Sequence, residues 1–129
     1  MTSKTKSIIG WVLTGLTGVF LMGPSAIGKF VDWEGKDKMF AHIGFTNDLI
    51  FNIGILEVAL AIIYLIPRTS FIGAILLTGY LGGATVTHLR VGDQFLFPVI
   101  IGIVMWIGLG LRDPTVFSLA MGKSQAAPS

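Results

Sequence analysis

Four polar side chains lie close together near the end of one apolar segment, in the run YLGGATVTHLRVGD at residues 80–93. They are Thr85, Thr87, His88 and Arg90. Hydroxyls, an imidazole and a guanidinium can together bind the polar head of a small molecule, whereas a helix that only leaves a membrane needs one interfacial charge. A histidine also changes charge between about pH 5 and 8. We therefore predict that this group forms one wall of a ligand site, with a plain membrane exit as the simpler alternative.

A carboxylic acid stands inside another apolar segment, NIGILEVALAIIYLI at residues 52–66. In a helix that begins near residue 48, Glu57 lies roughly 14 Å along the axis, close to the middle of a bilayer. A charge at that depth costs about 3 kcal/mol to insert. Glu57 is therefore expected to be paired, protonated or facing a polar cavity. A ligand or proton site and a structural hydrogen bond between helices are equally good interpretations.

Helical spacing assigns the small and polar residues of these segments to particular faces. In the segment with the acid, one face carries Gly54, Glu57, Ala61 and Tyr64. In the next segment, a stripe is formed by Thr78, Gly82, Thr85 and His88, beside a glycine pair, Gly79 and Gly83, that suits close helix packing. Lys29 stands at the end of the first apolar segment, where it either reaches a site or extends to the membrane interface.

The composition indicates an integral membrane protein. Of 129 residues, 53% are hydrophobic and 12% are charged, whereas about 25% are charged in soluble domains. The net charge is only +2 and the basic residues are scattered, which excludes a nucleic-acid-binding surface. The absence of cysteine excludes disulfides, CxxC centres and thiolate-held iron–sulfur clusters. With two histidines and no flavin motif, the sequence predicts no metal site and no built-in cofactor.

Four apolar runs predict four membrane helices in a single domain over residues 1–129. They cover about residues 7–30, 48–66, 70–89 and 95–111, and a disordered tail is expected over 115–129. Pro24 should kink the first helix. Since short turns make neighbouring helices antiparallel, the expected fold is all-α, an integral membrane four-helix up-down antiparallel bundle.

Basic residues predict the orientation of this bundle. The side that carries both termini has Lys4, Lys6, Arg68, Arg112 and Lys123. The opposite side has Lys29, Lys36, Lys38 and Arg90. The small excess on the terminal side favours cytoplasmic termini, because cytoplasmic segments are enriched in lysine and arginine.

The runs IPRTSFIGAILLTGYLGGATVTHLRVGD and FPVIIGIVMWIGLGLRDP resemble the DoxX-like family of small bacterial membrane proteins, as do GILEVALAIIYL and IGKF. The resemblance extends over nearly the whole chain. It implies a four-helix protein of the bacterial inner (cytoplasmic) membrane and points to Lys29, Glu57, Thr87, His88 and Arg90 as functional residues. Some members, such as the membrane part of an archaeal thiosulfate–quinone oxidoreductase, look like quinone-coupled redox subunits, and others are linked to oxidative-stress complexes.

Two hypotheses of function follow. In the first, the chain binds a quinone-like or other small amphipathic ligand as a redox-accessory subunit of a membrane quinone-linked oxidoreductase. The ligand-binding residues would be Lys29, Glu57, Thr85, Thr87, His88 and Arg90. In the second, the chain is a structural or chaperone-like membrane partner without catalytic activity. A small transporter or proton channel is a weaker third hypothesis, because no inverted repeat is visible. The expected partners are the lipid bilayer, a redox partner subunit and further copies of the chain.

Overall fold

The structure is a computed structural model that describes residues 2–123, and within that range it contains helices and no strand. Six helices follow one another: α1 (Ser3–Phe30), α2 (Lys36–His42), α3 (Asn47–Leu65), α4 (Pro67–Arg90), α5 (Leu96–Arg112) and α6 (Pro114–Ala120). The all-α fold class is confirmed.

Three of the helices, α1, α3 and α4, are long and apolar enough to cross a membrane. Helix α5 qualifies only together with α6, and these two helices are bent by 112° at their junction. The four-helix up-down bundle is therefore not confirmed as the complete architecture. Large apolar side chains are well exposed on the long helices, including Leu16 (61%), Val19 (69%) and Val86 (62%). A lipid environment would cover such surfaces, whereas water would not.

The C-terminal segment differs from the expected disordered tail. Residues 114–120 form helix α6, which begins with Pro114 in its first turn, a position where the missing N–H costs nothing. Val116 is buried in the core, and the Phe117 ring lies over Gly110 of α5. The prediction of disorder is wrong for this stretch, because the sharp turn at its start directs apolar side chains back onto α5. Residues 124–129 lie outside the described part of the chain.

Helix α1 is kinked where the sequence predicts it. Residues 21–25 form a π-helical turn that contains Pro24, and Gly23 has non-helical dihedral angles of φ −95° and ψ −105°. Proline has no N–H to donate, so the regular hydrogen-bond ladder is interrupted here. The kink brings the last two turns of α1 against α3.

The long helices contact one another in pairs. Helix α1 packs mainly against α5, while α4 packs against both α3 and α5. The α3 face carrying Gly54, Glu57, Ala61 and Tyr64 is buried, as helical spacing predicts. Other core side chains include Leu21, Leu60, Ala74, Leu77, Leu81, Met105 and Leu109.

A polar network holds the end of this core that is nearest to the chain termini. Arg112, in the last turn of α5, donates to the Thr14 hydroxyl (2.9 Å) and to the Ser70 hydroxyl (3.0 Å). Its guanidinium lies 4.2 Å from the centre of the Trp11 ring. Tyr64 donates to the Met105 carbonyl (2.8 Å). These contacts join α1, α3, α4 and α5 at the end of the molecule opposite to the site described next.

Candidate functional site

The buried acid of α3 gathers side chains from two other helices. Glu57 is 1% exposed. Its Oε1 accepts hydrogen bonds from the Tyr80 hydroxyl of α4 (2.6 Å), the Ser25 hydroxyl of α1 (2.9 Å) and the Lys29 ammonium of α1 (3.2 Å). The expected pairing of Glu57 is met by Lys29, and the expected hydrogen bond between helices is formed with Tyr80 of α4.

Lys29 is held in place by the end of its own helix. Besides its ion pair with Glu57, its Nζ donates to the Ser25 carbonyl (3.0 Å) and to the Ser25 hydroxyl (3.2 Å). The side chain is 16% exposed. The kink at Pro24 turns this segment of α1 toward α3, so that both Ser25 and Lys29 reach the carboxylate. Lys29 is thus part of a buried cluster and does not simply extend to the membrane interface.

A cavity of about 770 Å³ adjoins this cluster. It lies between α1, α2, α3, α4 and the start of α5, and most of its wall is apolar or aromatic. The polar or charged side chains that line it are Ser25, Lys29, Glu57, Tyr80, Thr87, His88 and Asp93, together with the amphipathic ring of Trp33. The cavity reaches both Glu57, in the middle of α3, and His88, near the end of α4. It therefore connects two residues that lie at different depths along their helices.

Two glycines interrupt the α4 wall of the cavity. Gly79 and Gly83 line the cavity, and a Cβ atom at either position would have no neighbour within 4 Å. The prediction that another helix of this chain packs closely against the two glycines is therefore wrong. Instead, the two glycines leave room beside Tyr80, which lies on the same face of α4.

Helix α2 covers one end of the cavity. It is flanked by Gly35 and Gly44, which have positive φ angles of 86° and 88°, a conformation that glycine adopts without strain. On α2, His42 Nε2 lies 3.0 Å from Asp93 Oδ1, and Asp93 Oδ2 lies 3.8 Å from His88 Nδ1. An aspartate between two histidines therefore ties α2 to the end of α4.

The six residues predicted to bind a ligand are distributed over three places. Lys29, Glu57, Thr87 and His88 line the cavity. Thr85 lines a separate groove of about 430 Å³ between α4 and α5, together with Thr78 and Gly82. Arg90 lines neither space.

The side chain of Arg90 instead supports the covering segment. Its guanidinium donates to the Ile43 carbonyl, directly after α2. Thr85 donates to the Leu81 carbonyl of its own helix, which is the common behaviour of threonine in membrane helices. Ligand contact by any of the six residues stays a prediction.

Three polar residues of the cavity are absent from the sequence prediction: Ser25, Tyr80 and Asp93. Tyr80 and Thr87 are separated by two helical turns and so share a face, a spacing that could have identified Tyr80. Nothing in the sequence pattern distinguishes Ser25 from an ordinary residue after a proline kink.

The model of the DoxX-like family matches residues 12–108. The chain belongs to the DoxX-like family. The match includes every polar side chain of the cavity, from Ser25 to Asp93. The family match and the long apolar helices together indicate a membrane protein. No curated protein and no solved structure matches the chain, so the geometry of the cavity carries the functional argument for this DoxX-like protein.

Proposed function

We propose that this DoxX-like protein binds a quinone-like or other small amphipathic molecule in the cavity beside Glu57. In this proposal it is a redox-accessory subunit of a membrane quinone-linked oxidoreductase. It lies in the bacterial inner membrane as a four-span up-down bundle, with α5 forming the fourth span and both termini in the cytoplasm.

The observation that carries the proposal is the combination of an ion pair with an apolar space. The pair formed by Lys29 and Glu57 is almost fully buried, yet both residues line a cavity of about 770 Å³. Cavities of roughly 300–1,000 Å³ with apolar walls and few polar groups are typical of small-molecule sites. A molecule with a polar ring and an apolar tail matches both parts of this lining.

The roles within the site follow from position. Glu57 fixes the polar head, and Lys29 and Tyr80 hold its carboxylate in place, because the three residues form the polar cluster at the base of the cavity. His88 and Asp93 lie at the end covered by α2. Within residues 2–123, no group of three or more His, Cys, Asp or Glu side chains is arranged so that it could hold a metal ion. In the redox role the bound ligand carries the electrons to or from a partner subunit.

Filling the cavity from the α4 wall tests the proposal. Gly83 borders the cavity and Gly82 borders the other groove, and a Cβ atom at either has no neighbour within 4 Å. Both glycines lie on α4, so Gly83→Leu and Gly82→Leu are matched in helix, residue type and surrounding space. Binding of a decyl-substituted benzoquinone and its hydroquinone can be followed by quenching of tryptophan fluorescence, since Trp33 lines the cavity.

The proposal requires that one or both probes bind to the wild type and to Gly82→Leu, and that Gly83→Leu lowers affinity at least about tenfold. Equal affinity in the two variants would place the ligand outside the cavity. No binding of any probe to the wild type would leave the structural or chaperone-like membrane partner as the better account.

A further inference from the structure

We infer that the cavity prefers a ligand whose head carries an aromatic hydroxyl, such as a hydroquinone, because that group donates a hydrogen bond. The corresponding quinone, whose carbonyls only accept hydrogen bonds, should bind more weakly. This inference rests on the proposed function, because it concerns the polar head of the molecule bound beside Glu57. It follows from a count of donors and acceptors around the carboxylate.

Every donor in the cluster around Glu57 is already used within the chain. A lysine ammonium has three N–H groups, and those of Lys29 have three acceptors: the Ser25 carbonyl, the Ser25 hydroxyl and Glu57 Oε1. The single O–H protons of Ser25 and Tyr80 are both donated to Glu57 Oε1. No hydrogen of this cluster is left for a ligand carbonyl.

Two other donors in the cavity lining are also used. The Thr87 hydroxyl donates to the Gly83 carbonyl (2.8 Å), and the Trp33 indole donates to the Gly28 carbonyl (2.9 Å). His88 remains, but it lies eight residues beyond Tyr80 on α4, roughly 12 Å along the helix axis. Its ring is near Asp93 at the covered end and not in the cluster around the carboxylate.

An acceptor, by contrast, is left over. Glu57 Oε2 is buried and has no hydrogen-bond partner among the described residues. All three donors converge on Oε1, the other oxygen of the same carboxylate. Oε2 has almost no surface open to the cavity, so a ligand hydroxyl reaches it only after a neighbouring side chain moves aside. A buried acceptor without a partner is costly, and the hydrogen bond from that hydroxyl would satisfy it. A quinone carbonyl would add a second acceptor beside Oε2 and make the mismatch worse.

Two pairs of probes test this inference in the purified full-length protein, in a detergent without aromatic groups. The first pair is the decyl-substituted benzoquinone and its chemically reduced hydroquinone, measured under argon. The second pair is para-nonylphenol and para-nonylanisole, which differ by a methyl group on the oxygen and cannot exchange electrons. The second pair therefore separates hydrogen bonding from redox chemistry.

The inference predicts that hydroquinone and phenol bind about tenfold more tightly than quinone and methyl ether, since hydrogen bonds to charged groups are the stronger ones. Glu57→Gln supplies the control. Its amide oxygen can still accept from Lys29, Ser25 and Tyr80, while its NH₂ group stands where Oε2 stood and now donates. The preference should fall below about twofold or reverse in this variant. Size-exclusion chromatography and circular dichroism show whether the variant is folded.

The outcomes separate this inference from the proposed function. If the members of each pair bind the wild type equally, or the quinone and the ether bind more tightly, the inference is wrong while ligand binding stands. A wild-type preference that Glu57→Gln retains would also overturn it. If no probe binds the wild type at all, the proposed function fails, and the inference fails with it. The wild-type comparison decides the matter even if the variant does not fold.

Discussion

Replacing Lys29 by methionine tests the buried ion pair of the site. Methionine is close to lysine in length but carries no charge, so Lys29→Met leaves the Glu57 carboxylate, 1% exposed, without its ammonium partner. Ser25 and Tyr80 still donate to it, but neither carries a positive charge. Breaking a buried pair by removing one partner destabilises a protein by about 3–5 kcal/mol. Since Lys29 is 16% exposed, we expect the lower end, about 3 kcal/mol.

A second substitution isolates the charge. In Lys29→Met/Glu57→Gln the uncompensated carboxylate is gone, and the amide oxygen can still accept from Ser25 and Tyr80. The double variant should therefore be more stable than Lys29→Met alone, by about 2 kcal/mol. The matched control is Lys38→Met, because Lys38 is exposed and makes no ion pair within the described residues.

The assay is reversible unfolding in mixed micelles, followed by circular dichroism. We expect the free energy of unfolding to fall strongly in Lys29→Met, to change by no more than about 0.5 kcal/mol in Lys38→Met, and to recover partly in the double variant. Equal stability of the two lysine variants, or additive losses in the double variant, would show that the pair is not a coupled buried unit.

Three further predictions concern other parts of the molecule. Asp93 lies between His42 of α2 and His88 of α4, so Asp93→Asn should weaken the contact between α2 and the end of α4, and ligand release should be faster than from the wild type in stopped-flow measurements. Ser3→Cys should be labelled by thiol reagents from the cytoplasm and Asp37→Cys only from the opposite side; the reverse pattern would contradict the orientation. Arg112→Ala should lower the free energy of unfolding by about 2 kcal/mol through lost hydrogen bonds and ring stacking, whereas the exposed Arg68→Ala should leave it nearly unchanged.

Helices and the buried face of α3 could be predicted because they depend on local pattern. The apolar runs give the long helices to within a few residues at most ends, although α1 begins earlier, at Ser3, where the Thr2 hydroxyl accepts from the Thr5 N–H. The kink follows from the missing N–H of Pro24. Spacing alone identified the face with Glu57, since a buried acid and small residues one turn apart must share a side.

The residues that form the site could be predicted from the sequence only in part. Successive residues on a helix point about 100° apart, so which threonine of α4 faces the cavity depends on where α3 and α5 pack. Thr87 faces the cavity and Thr85 faces the groove, and their sequence neighbourhoods do not distinguish them. Tyr80 resembles any aromatic residue of an apolar helix until Glu57 is placed opposite its hydroxyl. The position of α6 depends likewise on a tertiary contact, the Phe117 ring over Gly110.

The most direct test of the central claim is a crystal structure grown in a lipid mesophase with the decyl-substituted hydroquinone. We predict density for the ring in the cavity between α1, α3 and α4, with one hydroxyl oxygen within about 3.2 Å of Glu57 Oε2. Ring density in the groove lined by Gly82, or a cavity occupied only by a lipid acyl chain that makes no contact with Glu57, would contradict the claim.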